Sequence, residues 1–107
     1  MAEAKIKEKK DFLVLDLKEP IEYQGMKIEQ LDMRKLREMT GREMNVLYNL
    51  YESTGGTGSV FQEGTLLFAQ VAASRVCGLP LEAVMELKAR DSVYLKTRVY
   101  RFFYATE

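Results

Sequence analysis

The sequence predicts an α+β domain: an N-terminal β-hairpin or small antiparallel sheet, then about four α-helices. Three observations carry this. Apolar residues alternate with a period of two over residues 12–23, the strand period. From residue 40 onward they recur at three- and four-residue spacing, the helix period. The chain has 107 residues, 47% hydrophobic and 30% charged, which is ordinary for one globular unit and leaves no room for a second core. Residues 11–107 are therefore assigned to a single domain, with the hairpin at 12–34 and the helical part at 40–105. Residues 1–10, MAEAKIKEKK, are mostly charged or small and read as a disordered leader.

In the hairpin, Leu13, Leu15 and Leu17 alternate with Phe12, Val14 and Asp16, and Ile21 and Tyr23 continue the pattern. Pro20 has no N–H, so it marks an edge, a bulge or a bend. Gln24-Gly25 marks a tight turn, because glycine accepts positive φ. The return strand carries Met26, Ile28, Leu31 and Met33, and its parity changes after Ile28. A bulge near Glu29-Gln30 would reconcile that. Lys18, Glu19, Glu22, Lys27 and Glu29 are expected on the solvent side.

The first helix starts at Thr40, which with Glu43 has capping-box spacing; Met44, Leu47, Tyr48 and Tyr51 form its apolar face. Residues 53–64, STGGTGSVFQEG, hold four of the seven glycines. No lysine follows their last glycine, so a phosphate-binding loop is disfavoured and a mobile connector is expected. Val60 and Phe61 are the apolar residues of that loop and are expected to dock on the core or on a partner.

The second helix runs from about Thr65 to Cys77. Leu67, Phe68, Val71, Ala72 and Val76 share a face, and Ala69, Ala73 and Ser74 permit close contacts. Gly78 suits the left-handed position after a helix, and Pro80 stops continuation. Cys77 reads as a small buried side chain, since no base accompanies it. A short third helix is expected from Pro80 to Ala89, with Glu82 and Glu86 solvated on its outer side.

The last helix is expected from Asp91, as its N-cap, to about Tyr104. Five of the eleven aromatic residues lie between Tyr94 and Tyr104. Leu95, Val99, Phe102 and Phe103 form one apolar stripe; Val93, Tyr100 and Tyr104 form a second. Two stripes require either a central position in the fold or a second apolar partner.

Composition excludes several chemistries. The sequence has no histidine and one cysteine, so it carries no Ser-His-Asp triad, no Cys-His pair, no disulfide framework and no thiolate metal cluster. No cofactor fingerprint occurs. The expectation is a non-enzyme without cofactor or metal. No stretch reads as a signal peptide, and no apolar run approaches the ~20 residues of a membrane span.

Charge is balanced, 16 basic against 16 acidic. General nucleic-acid binding is thereby disfavoured. One local excess remains: Lys88, Arg90, Lys96, Arg98 and Arg101 face only Asp91. A small nucleic-acid-binding module built on this basic, aromatic helix is thus the alternative to an interaction protein. For the latter, six methionines and no tryptophan suit adaptable contacts with helices of varied sequence.

The N-terminal half reads Leu15-x-Leu17-x-x-Pro20-Ile21-x-Tyr23-x-Gly25-x-x-Ile28-x-x-Leu31-x-Met33-Arg34. The C-terminal half reads Gly78-Leu79-Pro80, then Leu87, Asp91, Leu95, Val99 and Phe102-Phe103. In this order, the two resemble the small tail assembly chaperones of contractile-tailed phages and prophages, the protein E/gp41-like group, over roughly residues 13–104. The resemblance implies a protein of the bacterial host cytoplasm that is absent from the mature virion. It implies a partner, the tape measure protein, whose hydrophobic helical segments are kept soluble until the tail tube assembles. Helix-in-groove binding would serve that task. The expected partner-binding residues are Val60, Phe61, Tyr94, Tyr100, Phe103 and Tyr104, and the same surface would favour self-association in the free protein.

Overall fold

A computed structural model describes residues 11–57 and 61–105, so the leader assigned to residues 1–10, and Val60, lie outside the described residues. Strands β1 (Val14–Tyr23) and β2 (Met26–Asp32) form a two-stranded antiparallel sheet. A 3-10 turn follows at Arg34–Glu38, a stretch to which the sequence reading gave no element. Helices α1 (Gly41–Ser53), α2 (Leu66–Cys77), α3 (Leu81–Met85) and α4 (Ala89–Tyr104) complete the chain, with a 3-10 turn at Gln62–Gly64 leading into α2. This is the expected α+β class. None of the helices is long and apolar enough to cross a membrane, among the described residues.

The hairpin closes at Gln24-Gly25, where φ is +50° and +81°, the paired positive values that match the right-handed twist of the flanking strands. Its register breaks between the Asp16–Gln30 and Ile21–Ile28 pairs. The irregularity spans residues 17–20 of β1 and Glu29 of β2; Ile28 and Leu31, three residues apart, are both buried, so β2 changes parity at the expected Glu29-Gln30 while β1 supplies the additional length. Residues 17–20 include Pro20, which has no N–H to give the ladder.

Helix caps follow the sequence. Thr40 Oγ1 accepts a hydrogen bond from the Glu43 amide at 3.4 Å, and Thr65 Oγ1 accepts from the Phe68 amide at 3.2 Å. Gly78 ends α2 at φ +70°. Two boundaries differ from expectation. Helix α3 ends at Met85, because the chain turns so that Leu87 points into the core. Helix α4 begins at Ala89, with Lys88 rather than Asp91 at the N-cap position and no side-chain cap. Asp91 is the third residue of that helix and is fully buried.

The central element is α2. Six consecutive residues from Phe68 to Ala73 are buried, so the helix is covered on every side over that span. Ala69, Ala72 and Ala73 let neighbouring chain approach closely. The Phe68 ring lies 5.4 Å from Tyr48, 5.8 Å from Tyr51 and 6.0 Å from Phe103. Leu13, Leu15, Leu31, Met33 and Leu36 close the core from the hairpin side. With α2 occupying the centre, α4 lies against one side only.

Candidate interaction surface

The position of α4 decides between its two stripes. Leu95 and Val99 are fully buried, and Phe102 and Phe103 are packed against the core. The second stripe faces outward: Val93, Tyr100 and Tyr104 are 57%, 47% and 40% exposed. Phe61, 59% exposed, joins them, its ring edge-on to Tyr104 at 5.9 Å. Tyr100 and Tyr104 lie 4.9 Å apart. Phe61, Tyr104 and Tyr100 form a contiguous aromatic patch, with Val93 two turns earlier on the same helix face, of a kind that marks contact surfaces on small proteins.

The Gln62–Gly64 turn holds the patch in place. Tyr104 Oη donates to Glu63 Oε1 at 2.5 Å, and Tyr48 Oη of α1 donates to the other oxygen of the same carboxylate. Tyr100 lies over Gly64 so closely that a Cβ there would come within 3.2 Å of its ring. Burial of the Glu63 carboxyl opposes its ionisation, but the phenol hydrogen bonds prevail and lower its pKa. In return the carboxylate, through those bonds, pushes the Tyr48 and Tyr104 phenols up to about 12. One acidic side chain therefore fixes α1, the turn and the end of α4 together.

The structure brings Phe61, Tyr100 and Tyr104 together out of the residues singled out in the sequence. Phe103 borders them from the core side, edge-on to Phe68. Tyr94 is on the other flank of α4, where it lines a cleft of about 530 Å³ with Phe12, Val14, Asp16 and Arg98. Val60 lies outside the described residues. Three participants, Val93, Glu63 and Tyr48, were not among the expected binding residues. Val93 was visible in the stripe by its seven-residue spacing to Tyr100. Glu63 and Tyr48 had no local signal, since their partnership spans three separate elements.

Two of the basic residues of α4 are committed elsewhere, while Arg90 and Lys96 are exposed. Arg98 Nη1 donates to the carbonyls of Phe12 and Val14 at 3.1 and 3.4 Å. The Arg101 guanidinium stacks 4.2 Å above the Phe12 ring. Across that ring's neighbourhood, Arg37 makes a two-pronged contact with Asp11 at 2.8 and 2.9 Å. This contact, with the Leu13 amide, holds the Asp11 carboxyl down at about 2.

Asp91 ties the same helix to the sheet. Its two oxygens accept from the successive amides of Lys18 and Glu19 at 2.9 and 3.0 Å. In a regular strand those amides would point to opposite edges, so the carboxylate is what satisfies the bulge. The expected helix cap is thus a strand anchor.

Cys77 is partly buried, and burial raises its thiol to about 11, where it stays protonated. Its Sγ approaches the Asp32 carbonyl at 3.4 Å. Among the described residues no group of three or more Asp, Glu, Cys or His converges on a metal position. Glu82 and Glu86 are exposed.

No curated protein and no solved structure matches the chain. One family does, described as phage tail assembly chaperone proteins, E, or 41 or 14, over residues 14–104. The matched span runs from the first residue of β1 to the last of α4 and takes in the hairpin, the central helix and the aromatic patch. From the architecture and this match over most of its length, the chain belongs to the phage tail assembly chaperone family.

Proposed function

We propose that this chaperone binds the tape measure protein and keeps it soluble in the host cytoplasm until tail tube subunits assemble around it, without entering the finished virion. The patch of Phe61, Val93, Tyr100 and Tyr104 is the observation that carries this reading. It offers apolar area with phenol tips, which adapts to helical partners of varied sequence. It requires no nucleotide or catalytic group, consistent with a chaperone family. Nucleic acid is the weaker reading, because Arg98 and Arg101 are engaged on the start of β1, away from the exposed tyrosines.

The test is co-production with the tape measure protein. Wild-type chaperone should hold that protein in the soluble fraction and co-purify with it. The double substitution Tyr100→Ser with Tyr104→Ser should abolish both while circular dichroism remains helical. Equal solubility with and without the chaperone would refute the proposal, as would full activity of the doubly substituted protein.

A further inference from the structure

The second unpartnered surface is the outer edge of β2. The sheet has two strands, and β1's far edge is covered by Asp91 and Arg98 of α4. Among the described residues, none hydrogen-bonds the outer edge of β2 over residues 26–30. At Asp32 the edge is closed by Cys77. Alongside the open stretch runs a groove of about 660 Å³, floored by Val76, Cys77 and Leu79 at the end of α2.

The register shows what this edge presents. Tyr23 and Met26 flank the two-residue turn, Glu22 faces Lys27, and Ile21 faces Ile28. Pairs in an antiparallel ladder alternate between exchanging both hydrogen bonds and exchanging none, and a two-residue turn closes on an exchanging pair. Lys27 therefore directs its N–H and C=O outward, and Glu29 does so two residues later. The open stretch has Ile28 at its centre. Lys27 and Glu29 flank it symmetrically, on the solvent side, in an exposed ion pair of 3.3 Å.

We infer that a second copy of this chain docks here, its β2 antiparallel to the first with Ile28 on the two-fold axis, making a continuous four-stranded sheet. In that register Lys27 of each copy faces Glu29 of the other. The outward backbone groups of both residues pair, and both ion pairs form across the dimer. Opposite charges one residue either side of the axis make the edge self-complementary, as a two-fold interface requires. The aromatic patch lies on different elements and stays open in this dimer.

Light scattering and analytical ultracentrifugation of the purified chaperone test this without any tape measure protein. Wild type should be a dimer. Lys27→Glu puts four carboxylates around the axis, and Glu29→Lys puts four ammonium groups there. Each single variant should weaken association by about tenfold or more. Mixed one to one, the two variants restore both cross-strand pairs and should form heterodimers, which an effect confined to one chain would not produce. Tyr100→Ser with Tyr104→Ser should leave the dimer intact. A monomeric wild type, single variants that dimerise like wild type, failure of the mixture to associate, or loss of the dimer on changing the tyrosines would each overturn the inference.

Discussion

Asp91 shows how local rules place a residue without giving its role. An aspartate just ahead of an apolar helical pattern is a reasonable N-cap from sequence alone. Its partners, however, are the amides of Lys18 and Glu19, 73 and 72 residues away. That pairing exists because β1 bulges and Pro20 cannot donate. Asp91→Asn keeps the size but offers one acceptor oxygen for two amides, so it should cost about 2–3 kcal/mol. For a domain of this size that lowers Tm by roughly 10–15 °C, readable by calorimetry. Glu63 makes a different prediction. The Tyr48 and Tyr104 phenols, raised to about 12 in the folded protein, ionise near their ordinary value of 10 when unfolded. The stability they provide is complete below pH 10 and is lost as pH rises toward 12. Urea titrations across that range should show this loss, and Glu63→Gln should reduce it, because a neutral amide no longer favours the protonated phenols.

The glycine-rich segment illustrates what spacing alone conceals. It was expected to be a mobile connector, yet its first residues are packed. Gly56 donates its amide to the Tyr51 carbonyl at 2.8 Å, and Tyr51 Oη donates to the Thr57 carbonyl at 3.1 Å. A Cβ on Gly56 would sit 2.5 Å from the Tyr51 ring, which is itself buried against Phe68. Glycine is needed here for space. Gly56→Ala should destabilise the fold by about 1–3 kcal/mol, checked by thermal or urea unfolding. A wild-type unfolding midpoint would show that the loop is free at this point. The helices were more legible. The cap at Thr40, the helix start near Thr65 and the left-handed end at Gly78 depend on neighbours three or four residues away, so sequence placed them well. The end of α3 and the start of α4 depend on Leu87 turning inward, a matter of core shape.

Across the molecule, the competition between α2 and α4 for the centre determines the exposed surface. Both helices are rich in apolar residues, and only one can be surrounded. The run of small residues in α2 allows close approach from all sides, so α4 is left with one stripe outside. The two ends of that distinction can be separated by substitution. Phe103→Ser removes a ring packed on Phe68 and should cost about 3 kcal/mol. The pair Tyr100→Ser and Tyr104→Ser removes outward rings and should cost only about 1–2 kcal/mol. Comparable losses from both would place the tyrosines in the core. The sequence by itself determined the α+β class, the hairpin turn, three of the helix termini and the two stripes of the last helix, because each follows from the 2.0- and 3.6-residue periods or from a cap's immediate neighbours. Only the tertiary structure decided which stripe faces solvent, that Asp91 holds the β1 bulge and that Glu63 joins two tyrosines. These depend on which surfaces, distant in the chain, compete for the same interior volume.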